Sequence, residues 1–259
     1  MRDSDEKRGG WLWSLVKFAA TASVWTVIAG IGVAAWYATD LPDIDEALQA
    51  NRRPMVTLLA ADGSLLETRG DIYGVPLQVG DLPKALTQAV LATEDRRFYD
   101  HFGLDIIGIA RAAYHNVRAG RIVQGGSTLT QQVAKNLFLT PERSYKRKIQ
   151  EVLLSLWLEH KFTKDQIFTI YLNRVYLGAG TYGVDAAARR YFGVPATGIM
   201  VYEAAMIAGL LKAPSRYNPR ANPALAKKRT AQVLRNMVAA GYLTESEAAQ
   251  AANRRHNRL

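Results

Sequence analysis

Residues 83–105 read PKALTQAVLATEDRRFYDHFGLD. The first half, KALTQAVLAT, carries apolar residues at helical spacing and predicts a helix over 83–95. It runs into Glu94-Asp95-Arg96-Arg97-Phe98-Tyr99-Asp100-His101-Phe102-Gly103-Leu104-Asp105, where four acids interleave with arginines, aromatics, a histidine and a glycine. A helix that merely ended at the surface in charged residues would not need His101, Phe98 and Phe102 among them. A carboxylate beside apolar residues has its proton affinity raised, as a general base requires.

Working outward, helical periodicity dominates from Leu82 onward, with helices expected at 105–119, 127–138, 144–161, 164–172, 181–190, 200–211, 223–240 and 244–252. Asp105, Thr163 and Thr244 stand where N-caps belong, and Glu247 completes a capping-box spacing with Thr244. Upstream, residues 54–80 read as a small β element: MVTLLAADGSLLETR places two apolar runs around Asp62-Gly63, a hairpin signal. The fold class is therefore mainly α with a β appendage.

Further upstream, residues 18–39 run for 22 positions without a charge. At ~1.5 Å per residue this is about 33 Å of helix, enough to span a hydrocarbon core of about 30 Å. Arg2, Lys7, Arg8 and Lys17 precede the run, and Asp40, Asp43, Asp45 and Glu46 follow it. The positive-inside rule places residues 1–17 in the cytoplasm as a tail and the chain beyond the anchor outside. A cleaved signal peptide is the competing reading, but its apolar region is shorter, about 7–15 residues. Residues 40–53 then form a polar connector, 54–240 the main domain and 241–259 a basic tail.

The 259 residues include 33 Lys and Arg, 23 Asp and Glu and no cysteine, a net charge of +10. Disulfides and thiol chemistry are thereby excluded. The basic excess calls for an anionic partner: nucleic acid, a membrane surface or a phosphorylated substrate. An external domain argues against nucleic acid. The excess is concentrated in residues 212–259, with ten Lys or Arg against two Glu.

Two more segments carry chemistry. In Gly125-Gly126-Ser127-Thr128-Leu129-Thr130-Gln131-Gln132-Val133-Ala134-Lys135-Asn136, residues Thr128, Gln131, Gln132 and Lys135 fall on one helical face. Free backbone N–H groups at such a helix start suit an anion. In Arg143-Ser-Tyr-Lys146-Arg147-Lys148-Ile-Gln-Glu151, Glu151 stands three and four residues from Lys148 and Arg147, a carboxylate beside cations. Two glutamates with a cationic cluster suit glycosyl transfer from a pyrophosphate: one carboxylate removes a proton while cations neutralise the departing charge. Other patterns are discounted. Gly178-Ala-Gly180-Thr-Tyr-Gly183 matches a dinucleotide fingerprint but lacks a βαβ setting and reads as a turn before a helix. The SxxK matches at Ser4 and Ser14 adjoin the membrane run with no KTG downstream. The four histidines show no zinc spacing.

Taken together, the segments resemble glycosyltransferase family 51, the peptidoglycan transglycosylases. EDxxFxxHxGxD is matched at Glu94, Asp95, Phe98, His101, Gly103 and Asp105, GGSTxTQQxxKN from Gly125 to Asn136, and RKxxE at Arg147, Lys148 and Glu151. YLNxxYxG follows from Tyr171 and AARRYFG from Ala187. The resemblance implies a lysozyme-like helical fold and polymerisation of lipid II into β-1,4 glycan, with inversion, at the outer face of the bacterial inner membrane. It implies Glu94 as the base on the acceptor 4-hydroxyl. It further implies that Glu151, with Lys135, Arg143 and Lys148, serves the donor pyrophosphate. Asp95, Phe98, His101, Gly103, Ser127, Thr128, Gln131, Gln132, Asn136 and Arg147 are implied around the substrates. Gln166 and Thr169 depart from the glutamates that many members carry there.

The partners implied are lipid II, the growing glycan strand, the membrane and a transpeptidase or other wall-synthesis protein. No cofactor follows from the residues, and a divalent Mg or Mn ion at the pyrophosphate is left open. The tail from Tyr217 onward resembles the segment leading into the transpeptidase domain of class A penicillin-binding proteins, so the chain also reads as the first part of such a protein. A non-catalytic lipid II or glycan scaffold and a lysozyme-like hydrolase are the other readings. In similar enzymes the stretch Ile106-Ile107-Gly108-Ile109-Ala110 dips towards the membrane; ordinary core packing is the alternative.

Overall fold

A computed structural model of the chain describes residues 3–38, 56–62, 65–122, 125–139, 142 and 144–253. The expected connector at 40–53, Gly63 at the hairpin turn and Arg143 of the third segment lie outside the described residues. The chain begins with one long helix, α1 (Asp3–Ala38). Its stretch Trp13–Tyr37 is long and apolar enough to cross a membrane, and none of it is buried against protein. Trp13, Phe18, Trp25 and Trp36 are all exposed.

The β element is the expected hairpin: β1 (Val56–Leu59) pairs antiparallel with β2 (Leu65–Arg69), with an irregularity between Leu58 and Leu59. A second, parallel ladder joins β3 (Ile72–Tyr73) to β4 (Thr181–Tyr182). Here the sequence reading is corrected, because a helix was expected from 181. Gly178, Ala179 and Gly180 all adopt positive φ, and Gly183 follows at φ +84. The segment therefore turns, pairs with β3 and stacks Tyr182 on Tyr73 at 5.3 Å. Helix α7 (Val184–Phe192) begins only after Gly183.

The core is organised around α8 (Val201–Leu210), in which Ala204, Ala205, Met206, Ile207, Ala208 and Leu210 are all buried. A helix apolar on every side has to lie inside. It packs against α2 (Lys84–Glu94), α7 and α9 (Pro223–Ala239). Helix α10 (Glu245–Asn253) packs on α8 and α9 and contributes Ala251 to the core, so helical packing continues past residue 240. Alongside lie α4 (Leu129–Phe138), α5 (Tyr145–Lys161) and α6 (Lys164–Arg174), joined through Leu129, Val133, Leu154, Ile167 and Phe168. The expected caps are present: Asp105 accepts from Gly108 N–H, Thr163 from Gln166 N–H and Thr244 from Glu247 N–H.

Helix α3 (Ile106–Ala119) differs from the helices of the core. It buries only Gly108 and Ala112 and turns Ile106, Ile107, Ile109, Tyr114 and Val117 to the surface. Between core packing and an outward apolar face, these side chains take the outward face.

The β appendage is clamped to α7 by Asp185. Its carboxylate accepts from Val75 N–H (3.0 Å), Ala196 N–H (3.0 Å) and Arg189 Nε (2.8 Å). Burial pushes this carboxyl up, but the guanidinium and the two backbone donors outweigh it and hold it below its ordinary 3.8. A depressed carboxyl contributes stability that is present above its unfolded value and lost as pH falls through its folded one. Asp185→Asn is expected to lower stability by about 1–3 kcal/mol at neutral pH. In denaturant titrations its deficit against the parent chain should shrink below about pH 4.

Candidate active site

The site begins where α2 ends. Asp95 closes the helix by donating its N–H to Leu91 C=O, and its side chain turns inward while that of Glu94 turns outward. The Asp95 carboxylate accepts from His101 Nε2 at 3.0 Å and from Leu129 N–H, the first residue of α4, at 3.0 Å. One buried acid thus ties the loop after α2 to the start of α4. Thr128 reinforces the junction as N-cap, donating to Gly103 C=O at 2.7 Å and accepting from Gln131 N–H at 3.2 Å. Gly103 sits at φ +71, and a Cβ there would lie 3.2 Å from the Ser155 backbone, so only glycine fits without displacement.

This arrangement corrects two readings. At the start of α4 the N–H groups of Leu129 and Gln131 are not offered to a bound anion, because Asp95 and Thr128 take them. The polar face of α4 is also divided: Thr128 and Gln131 turn inward as a capping box, leaving Gln132 and Lys135 outward.

Glu94 opens onto a cleft of about 910 Å³ whose walls come from the end of α2, from α3, from the start of α4 and from α9. Desolvation raises its pKa; the Gln132 hydrogen bond opposes this first, followed by the charges of Arg229, Lys135 and Lys212. Gln132 Nε2 donates to Glu94 Oε2 at 3.0 Å, and the buried Tyr171 hydroxyl donates to Gln132 Oε1 at 3.3 Å. The carboxylate is therefore held at one oxygen, partly desolvated, and surrounded by cations. Such a group, with its proton affinity raised by burial, can accept a proton from a hydroxyl placed in the cleft.

Glu151 is placed differently. It is buried and paired with Arg147 Nε at 3.2 Å and Lys148 Nζ at 3.0 Å. Lys148 also donates to Ser127 Oγ at 2.9 Å and Gln131 Oε1 at 3.3 Å. Glu151 thus holds a lysine against the glycine-rich approach to α4 and does not line the cleft itself. Among the expected site residues, Glu94, Asp95, Ser127, Thr128, Gln132 and Lys135 line it. Phe98 lies in the core and His101 points at Asp95, while Gly103 packs on Ser155; these three support the loop from behind. Asn136 is exposed beside a separate small hollow on α4 and α6.

The sequence reading missed one wall. Arg229, Gln232 and Asn236 stand at i, i+3 and i+7 on α9 and face Glu94's cleft, with Lys212 beside them and with Arg111 and His115 on α3 opposite. The spacing on α9 was available as a polar stripe on a helix otherwise bearing core residues, and Lys212 as the charge ending an apolar run. Tyr171 stands at the head of the matched YLNxxYxG stretch without a role assigned to it, since a buried tyrosine reads as core. Among the described residues, no group of three or more His, Cys, Asp or Glu could hold a metal ion.

Comparison with known proteins follows the same residues. The sequence model of one protein family, described as Transglycosylase, matches residues 62–238. Penicillin-binding protein 1A of Aquifex aeolicus is 48% identical over 194 residues, covering 75% of this chain and 27% of the relative. That of Neisseria flavescens is 44% identical over 211 residues, covering 82% and 26%. A crystal structure of penicillin-binding protein 1A from Haemophilus influenzae aligns with TM-score 0.51 and 25% identity, covering 80% of this chain and 21% of that one. The chain thus spans about a quarter of the length of these relatives.

Removing the Asp95 anchor should loosen the loop and the start of α4 together. Asp95→Ala is expected to lower stability by about 1–3 kcal/mol in denaturant unfolding, because the Leu129 N–H is left buried without an acceptor.

Proposed function

Since the chain belongs to the transglycosylase family, we propose that it polymerises lipid II, joining disaccharide units by inverting β-1,4 transfer. The observation that carries this reading is the desolvated Glu94 carboxylate, held by Gln132 on the wall of a cation-lined cleft. Glu94 takes the proton of the acceptor 4-hydroxyl. The freed oxygen attacks the anomeric carbon of the donor from the face opposite the pyrophosphate, the C1–O bond to the phosphate breaks, and the lipid pyrophosphate departs as an anion. Lys135, Lys212 and Arg229, cleft-lining cations whose charges bear on Glu94, serve this developing charge, and Lys148 stands at the cleft's edge through Ser127. Charge placed in advance where it is needed lowers the barrier without reorganisation at the moment of reaction.

A pyrophosphate leaves without protonation, so the mechanism needs one free carboxylate rather than two. Glu151, bound by two cations, fits a role in orienting Lys148. The same pairing disfavours hydrolysis, in which a second carboxyl has to work as acid or nucleophile. A Mg or Mn ion at the pyrophosphate would rest on the phosphate oxygens, because no cluster of protein ligands is gathered for it among the described residues.

The stretch Trp13–Tyr37 serves as a single membrane anchor, with the basic residues before it on the cytoplasmic side and the catalytic domain outside. The exposed isoleucines of α3 meet the same bilayer and bring the cleft to a lipid-linked substrate. The glycan strand then passes to a transpeptidase for cross-linking.

With labelled lipid II, Glu94→Gln is expected to abolish polymer formation while thermal unfolding stays within a few degrees of the parent chain. A polymerising Glu94→Gln variant would remove Glu94 as the base. Activity of the parent should be lost on acidification above the usual carboxylate range, because burial raises the value through which Glu94 must ionise. An acid limb at or below the ordinary 4.5 would contradict that assignment.

A further inference from the structure

We propose that Tyr171 is a positioning residue for the base: its hydroxyl fixes the Gln132 amide, and the amide in turn sets the orientation and proton affinity of Glu94. This rests on the reading of Glu94 as the base. Three side chains from three elements form a line. Tyr171 on α6 donates to Gln132 Oε1 at 3.3 Å, and Gln132 on α4 donates from Nε2 to Glu94 Oε2 at 3.0 Å at the end of α2. Tyr171 is 2% exposed, so its hydroxyl has no recourse to bulk water.

The chemistry of the three groups explains why a hydroxyl stands there. An amide can offer its NH2 or its carbonyl to a neighbour but not both at one position. While Glu94 is ionised it needs the NH2, which turns the carbonyl towards Tyr171, and the hydroxyl donates to it. Once Glu94 has taken a proton it can itself donate. The amide then offers its carbonyl to Glu94 by turning over and brings its NH2 against Tyr171, whose oxygen can accept. A tyrosine hydroxyl is both donor and acceptor, so it satisfies the amide in either protonation state of the base. Phenylalanine would satisfy it in neither.

The groups that act on Glu94 come from every element around it. Lys135 on α4, Arg229 on α9 and Lys212 after α8 bear on it as cations, and Tyr171 approaches from α6. The same cleft also holds Asp95, Arg96, Asp105, Arg111 and His115. None of these is changed by Tyr171→Phe, which keeps the buried ring and removes only the oxygen.

The test is the pH dependence of lipid II polymerisation by full-length Tyr171→Phe in detergent, with the parent chain and Glu94→Gln alongside. Loss of the hydroxyl should lower kcat about three- to tenfold with little change in KM. It should also move the acid limb about half a pH unit upward, because a loosened Gln132 stabilises the carboxylate less. In a Gln132→Met background, which has no amide to orient, the same substitution should shift nothing further. An unshifted limb, or an equal effect with and without Gln132, overturns the proposal. A polymerising Glu94→Gln control would instead overturn the reading of the base, so the two failures are distinct.

Discussion

The carboxylate of Asp95 is the point on which this site depends. It is buried, it accepts from His101 and from the first N–H of α4, and it belongs to the residue that ends α2. That anchor fixes where α4 starts relative to where α2 stops, and the Thr128–Gly103 hydrogen bond reinforces it. The cleft is built from those two ends: Glu94 on one, Gln132 and Lys135 on the other. Gly103 and Phe98 serve the same junction from behind, which accounts for residues that the motif contains but that do not line the cleft.

Around this junction the protein separates two electrostatic tasks. Glu94 is set among the cations Arg229, Lys135 and Lys212, which temper the desolvation that raises its pKa, and among the described residues its carboxylate is hydrogen-bonded to a neutral amide, without being locked in an ion pair. Glu151 is locked in one, with Arg147 and Lys148. The difference follows from position. Glu151 lies within a helix, where partners three and four residues away are built into the backbone repeat. Glu94 ends its helix and has no such partners ahead of it.

Most of the helical architecture was legible because amphipathic spacing and capping residues act locally. Asp105, Thr163 and Thr244 cap where their side-chain chemistry says they should. The misreadings fall where a distant partner decides. Thr181-Tyr182 became a strand because Ile72-Tyr73, more than a hundred positions upstream, offers it an edge. Thr128 and Gln131 left the polar face because the loop at Gly103 required a donor. In the site, the acids and the GGST-to-Lys135 run announced themselves by composition. Arg229, Gln232 and Asn236 entered the cleft only because α9 crosses the end of α2, and no local pattern states such a crossing. Tyr171 became part of the site only through its reach to Gln132.

The division between Glu94 and Asp95 has a further consequence, carried by the main chain. The last turn of α2 leaves carbonyl groups without helical partners, and Glu94 stands among them at the negative pole of that helix. Asp95, one residue on, meets the positive pole of α4 through Leu129 N–H. Helix poles act over the first and last turns with energies of about 0.3–1 kcal/mol. Backbone polarity thereby reinforces the opposite settings of these two neighbouring acids. Substitutions that fray α2 or delay α4 would change the proton affinity of Glu94 without touching a side chain in the cleft.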